Sequence, residues 1–211
     1  MENKVVGSII RQEHIDKAIR YQEFRKLIDQ LLSDGKTTGD NHSEAMLHYT
    51  KMNVQRMSRL DKTIQLQQET IDKMNSFDEA IIWVVLGEAW CGDVGQNLPI
   101  IAKMAGTSDN IKLAILLRDE NLEVMDEFLT NGGRAIPKLI CVKADNYEVL
   151  GEWGPRPEPA QEIMMDFKEN PGDRTKMDIV TNIQKWYAKD KALTIQKEFR
   201  DMVEEWNNKL P

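Results

Sequence analysis

Apolar positions recur at three-to-five-residue spacing between residue 12 and about residue 32, through Ile15, Ile19, Phe24, Leu27, Ile28 and Leu31, with charges between them. That period predicts an amphipathic helix. The run SDGKTTGDN at 33–41 breaks it. A second helical region is predicted from about 43 to 75. Its apolar stripe is Ala45, Met46, Tyr49, Met52, Val54, Met57, Leu60, Ile64 and Leu66. A Met and Leu stripe at helical spacing reads as core rather than as a ligand box.

The pattern then changes period. AIIWVVL, residues 80–86, is a continuous run rich in β-branched residues, as expected of a strand buried on both faces. After the turn GEAWCGD, helical spacing returns over 94–105 through Val94, Leu98, Ile101 and Ala105. IKLAILL at 111–117 predicts a second buried strand, and NLEVMDEFLT at 121–130 a helix. PKLICV at 137–142 and YEVLGEW at 147–153 predict two strands joined at Asp145-Asn146 into a hairpin. GPRPEP at 154–159 is a rigid loop. The remainder is helical, interrupted at ENPGD, 169–173, with Trp186, Phe199 and Trp206 as packing residues. A strand-helix-strand unit, a helix and a hairpin make an α/β fold with a mixed central sheet flanked by helices. Three parts are expected: an N-terminal helical extension at 1–75 packing on the core, a central domain at 76–170, and a C-terminal helical segment at 171–211.

Composition narrows the function classes. The 211 residues suffice for one sizeable domain with added helices. A net charge of -7 argues against nucleic acid as a partner, because phosphate neutralisation needs clustered Lys and Arg. The longest apolar run, 80–86, is too short to span a bilayer, so no membrane role is expected. The opening MENKVVGSIIRQEH lacks the apolar core of a signal peptide, which makes the cytoplasm the expected compartment. His14, His42 and His48 do not share a ligand spacing, and no phosphate-binding glycine loop is present; neither metal nor cofactor is expected. The helical extensions carry enough apolar stripe to dimerise, but packing on their own core favours a monomer.

Only two cysteines are present, Cys91 and Cys141. The motif Trp90-Cys91-Gly92-Asp93 at the end of the first central strand, RAIPKLI at 134–140 and GEWGPRP at 151–157 together resemble the thioredoxin-like superfamily over residues 76–170. The resemblance is to a bacterial group with a W-C-G-D motif and long N-terminal helices. It implies a thioredoxin-like fold, with Cys91 as the catalytic thiol at a helix start, where free N–H groups and the helix dipole favour a thiolate. Pro137 corresponds to the family's cis-proline, and Ile136 before it offers backbone hydrogen bonds to an extended peptide. Trp90, Gly92, Asp93, Ile136, Pro137, Trp153 and Arg156 are the implied substrate-binding residues. Asp93 is expected to cap the helix with Gln96 as its partner in a capping box. Arg156 suits a carboxylate or phosphate.

Two departures matter. Val94 stands where a dithiol enzyme would carry its resolving cysteine, so Cys91 can attack a disulfide but cannot release the product. The buried acid of many relatives falls at Val85, and Glu88 is expected to be exposed. Cys141 lies about 13 Å beyond Pro137 along a strand, too far to pair with Cys91 without movement, and reads as a small buried residue. The first functional expectation is a single-cysteine thiol-disulfide protein forming mixed disulfides with a protein or a small-molecule thiol or disulfide. If the chain is an enzyme, it is a monothiol disulfide oxidoreductase. The alternative is a catalytically inactive binding module that takes extended peptides at the cis-proline groove.

Overall fold

The computed structural model describes residues 9–210. The expectation about a targeting segment rests partly on residues 1–8, which lie outside the described residues. Four strands form one sheet: β1 (Ile81–Gly87), β2 (Ile111–Leu117), β3 (Lys138–Lys143) and β4 (Val149–Trp153), in the order β2-β1-β3-β4. β1 runs parallel to β2 and antiparallel to β3, and β3 and β4 form the expected hairpin. Each strand lies within two residues of its predicted span. N- and C-terminal helices flank this mixed sheet, as the α/β expectation required.

Every residue of β1 is buried. The cause is position as well as composition: β1 has a strand on each edge, and its side chains alternate into apolar layers on both faces. Trp83 shows what one face demands. Its ring meets Phe199 edge-on at 5.1 Å and Trp206 at 6.3 Å, both on α9 (Leu193–Asn207). Cys141 sits opposite Trp83 in the register and is fully buried, as the sequence suggested. Gly151 pairs with Cys141 on β4, and a Cβ there would collide with the indole of Trp206. A glycine is what allows α9 to come this close to the sheet.

The N-terminal region departs from the predicted helices. Two long helices become four: α1 (Gln12–Lys17), α2 (Tyr21–Ser33), α3 (Glu44–Thr63) and α4 (Gln68–Met74). The first break has a tertiary cause. Ile19 leaves the helix to exchange two backbone hydrogen bonds with Ile115 of β2, each 2.9 Å long. This covers part of the sheet edge that would otherwise expose unpaired N–H and C=O groups. At the second break the Ile64 carbonyl accepts from the Lys103 ammonium, and the Gln67 N–H donates to the Gln196 side chain at 2.8 Å. Periodicity along the chain carries no trace of either partner.

Helix α5 (Gly92–Ala105) packs along α3, and α4 along α9. Helix α6 (Leu122–Glu127) is shorter than its predicted span. One apolar core holds residues from Ile10 to Trp206. Helices α7 (Glu158–Glu169) and α8 (Lys176–Asp190) share a separate small cluster of Ala160, Ile179, Ile183 and Tyr187. Among the described residues no helix is long and apolar enough to cross a membrane.

Phe199 is fully buried between Trp83, Trp153 and Trp206. Phe199→Ala should therefore destabilise the protein by about 3–5 kcal/mol, the usual loss for a large aromatic removed from a core. Urea unfolding measures it. A loss below about 1 kcal/mol would mean that α9 is a loose appendage rather than a wall of the core.

Candidate binding site at the start of helix α5

The end of β1 and the start of α5 bring Trp90, Cys91, Gly92 and Asp93 to one rim of the sheet, and the chain entering β3 brings Ile136 and Pro137 beside them. Cys91 is the N-cap residue of α5. The Ile136–Pro137 bond is cis, as is Gly154–Pro155. The Cys91 thiol donates to the Ile136 carbonyl at 3.2 Å. The Asp93 and Val94 N–H groups in the first turn of α5 point at the same sulfur. As a residue Cys91 keeps some exposed surface, yet its sulfur is enclosed closely enough that burial, with the Asp93 charge adding to it, pushes the thiol up to about 12. The two N–H groups and Arg156 pull the other way and do not win.

Asp93 is not a capping residue. Its carboxylate accepts from Arg156, with Nε at 3.0 Å, and from the Tyr187 hydroxyl at 2.9 Å. Asn97 Nδ2 donates to the Tyr187 oxygen at 2.8 Å and to the Asp93 carbonyl at 2.9 Å. Gln96, the expected capping-box partner, donates instead to Gln184 Oε1 of α8 at 2.6 Å. The ion pair is largely enclosed, with side-chain exposures of 12% for Arg156 and 13% for Asp93. Arg156 is therefore engaged by a carboxylate of its own chain. Gly92 faces Arg56 and Gln184, each 3.6 Å from where a Cβ would stand.

Trp90 is half-buried under the Arg118 guanidinium, 5.1 Å from its ring centre. Trp153 is buried against Phe199, and its indole N–H donates to Glu198 Oε2 at 2.7 Å, so its polar edge faces α9. Thus Trp90, Cys91, Gly92, Ile136 and Pro137 adjoin one another, Asp93 and Arg156 bind each other beside them, and Trp153 is turned towards the core. Tyr187, Asn97 and Gln184 were not anticipated. They lie on ordinary helix faces, and Tyr187 is about ninety residues from the motif it touches.

Glu88 contradicts its expected exposure. It is fully buried, with Oε1 accepting the Asp119 N–H at 2.9 Å and Oε2 without a partner among the described residues. Burial raises its pKa, against the pull of hydrogen bonds from Thr38 and the Asp119 backbone. Among the described residues no three His, Cys, Asp or Glu side chains are grouped to hold a metal ion.

Comparison with known proteins agrees with the fold. The model of a family described as thioredoxin matches residues 39–170, well over half of the chain. A crystal structure of a protein of unknown function from Pseudomonas aeruginosa superposes with a TM-score of 0.60 at 16% identity, covering 91% of this chain and 95% of its own. An HIV epitope scaffold superposes with a TM-score of 0.57 at 17% identity, covering 91% and 96%. The search of curated proteins returned no match. Neither matched structure is described as a thiol catalyst.

The single-cysteine redox expectation is thereby corrected, and with it the oxidoreductase, monothiol and mixed-disulfide readings. No CxxC pair exists. Cys91 and Cys141 are both free, and Cys141 sits inside the sheet packing. The helix start that should favour a thiolate is outweighed by burial and by Asp93.

Two outcomes follow. Alkylation of Cys91 should be slow near neutral pH and keep rising about tenfold per pH unit past the free-thiol value of about 8.5; a plateau near that value would contradict the buried-thiol geometry. Glu88 binds its proton more tightly folded than unfolded. Its contribution to stability is fully present below the unfolded carboxyl value of about 4.3 and is lost as pH rises through the higher folded value. Glu88→Gln, neutral throughout, should therefore gain on the unsubstituted protein as pH rises above the unfolded carboxyl value, until the folded carboxyl has also ionised. Urea midpoints read this, and a pH-independent gap would show that the carboxyl titrates as if exposed.

Proposed function

We propose, for a chain that belongs to the thioredoxin family, that it is a non-catalytic binding module whose cis-proline rim takes an extended peptide segment. The Trp90-Cys91-Gly92-Asp93 run and the N-terminal helices suit the bacterial group named above, and the reading remains that of a protein partner, not of a thiol or disulfide.

One observation carries the proposal. The backbone of Ile136 is poorly paired. Among the described residues its carbonyl accepts the Cys91 thiol alone, a weak donor, and nothing accepts its N–H. A backbone N–H left unpaired away from water costs about 1–3 kcal/mol, so the position favours a partner that supplies an acceptor. An extended peptide supplies both halves. Its carbonyl would accept the Ile136 N–H, and its N–H would displace the thiol from the Ile136 carbonyl, exchanging a weak bond for a stronger one. This is strand addition at a short edge, where main-chain bonds give affinity and flanking side chains select. Trp90 under Arg118 would form one wall.

The thiol thus serves as a placeholder for an amide donor. Cys91→Ala removes it and should leave peptide affinity unchanged or up to about threefold tighter. The experiment is selection from a library of unstructured peptides under reducing conditions, followed by amide chemical-shift mapping of the best binder. The Ile136 and Trp90 N–H signals should move most. Shifts centred on another face, or binding that disappears in Cys91→Ala, would sink the proposal.

A further inference from the structure

The α7–α8 hairpin touches both chain segments that lead to the rim just described. Met165 of α7 meets Asn131, five residues before Ile136, with Asn131 Nδ2 3.4 Å from Met165 Sδ. On the other side of the rim, α8 reaches the first turns of α5 through Gln184 to Gln96 and Tyr187 to Asp93 and Asn97. Arg156, just before α7, closes on Asp93 as well. The hairpin therefore bridges the two chain segments that flank the Cys91–Ile136 contact. Ile136, in one of those segments, is 5% exposed.

The way the hairpin is attached is unlike the way the rest is packed. Its apolar residues face each other: Ala160, Ile179, Ile183 and Tyr187, with Ile163, Met164, Phe167 and Trp186 around them, form a cluster separate from the main core. Its bonds to the first turns of α5 are polar, through Gln184 to Gln96 and Tyr187 to Asp93 and Asn97. The seam is also incompletely filled. A cavity of about 30 Å³ lies there among Arg59, Asn97, Pro157, Tyr187 and Ile195, and the buried Asn97 Oδ1 has no partner among the described residues. At its far end the hairpin returns to the body through Lys191 and Ala192, both with positive φ, which turn the chain from α8 directly into α9. A unit with its own apolar interior can lift without exposing the main core, and it can hinge on the few residues at its two ends.

We propose that the α7–α8 hairpin, residues 158–190, is a hinged cover that closes the cis-proline rim, and that the Asp93–Arg156–Tyr187 contacts are its latch. The inference rests on the peptide-binding reading for what enters beneath the cover, not for the cover itself. Closed, the hairpin shields Ile136 and leaves Cys91 to hold the Ile136 carbonyl. Open, it frees the rim for strand addition. A ligand that binds only the open form has its affinity reduced by the open fraction, so weakening the latch raises apparent affinity.

Hydrogen–deuterium exchange on the intact protein tests the cover without any substitution. Amides of α7 and α8 should exchange together, at least about tenfold faster than those of β1 and β3. Asp93→Asn keeps an acceptor for Tyr187 but loses the ion pair. It should speed exchange across 158–190 by about tenfold, leave β1 and β3 unchanged, and tighten binding of a rim peptide by up to about tenfold. Arg156→Gln should do the same from the other partner. Exchange of α7 and α8 only at the rate of the strands would overturn the cover. Acceleration spread evenly over the whole chain in both variants would overturn the latch, because it would mark a general loss of stability. Block exchange that responds to both variants, with no peptide bound at the rim, would support the cover while removing the peptide reading.

Discussion

Strand β1 has no face towards water, and the rest of the structure follows from that constraint. Seven consecutive buried residues with neighbours on both edges need an apolar layer above and below. The hairpin partner β3 and the parallel partner β2 satisfy its backbone, but side chains as large as Trp83 need helices against them. Helix α9 supplies Phe199 and Trp206 on one face, and Gly151 gives it room to approach. Helix α9 and the N-terminal helices are thus parts of the core's wall, whereas α7 and α8 bury their apolar residues against each other. That the family match begins at residue 39, inside the helical N-terminal region, fits the same view.

The same burial decides the chemistry at the strand's end. A cysteine at a helix start is expected to be acidic, because unpaired N–H groups and the helix dipole favour its anion. Here the N–H groups are present and point at the sulfur, but the site is enclosed, and the nearest carboxylate, Asp93, is held two residues away by Arg156 and Tyr187. Desolvation acts on the whole charge of a thiolate, whereas the helix start contributes a fraction of one, so the neutral thiol wins. The residue then acts as what it has become, a small donor facing a backbone carbonyl.

Asp93 illustrates how one side chain can be read in two ways. In the sequence it stands where a helix-capping acid belongs, with a glutamine three residues on. In the fold both residues turn outwards to the α7–α8 hairpin, since α8 brings Tyr187 and Gln184 within reach and Arg156 offers a formal charge. An enclosed carboxylate gains more from a guanidinium and a hydroxyl than from helix N–H groups that the sulfur already occupies. Local spacing favours the cap, and the partners that outcompete it reach Asp93 only through the fold.

What the sequence determined by itself was whatever depends on local period and chain order. Runs such as AIIWVVL and IKLAILL read as strands from their period and composition; only β1 is buried throughout, since β2 lies at the sheet edge and leaves Lys112 exposed. Their alternation with helices leaves few topologies. The resemblance carried by Trp90-Cys91-Gly92 and Pro137 implied that thiol and proline share a rim, and the buried role of Cys141 followed from its place in a strand. Only the tertiary structure decided where the long N-terminal helices break, because Ile19 is drawn out by a strand 96 residues away. Only it decided that Glu88 is buried, that Trp153 faces α9, and that Cys91 is neutral. Each of these depends on the sum of distant neighbours around one group, and burial, unlike periodicity, is a property that no stretch of chain possesses until the rest has folded around it.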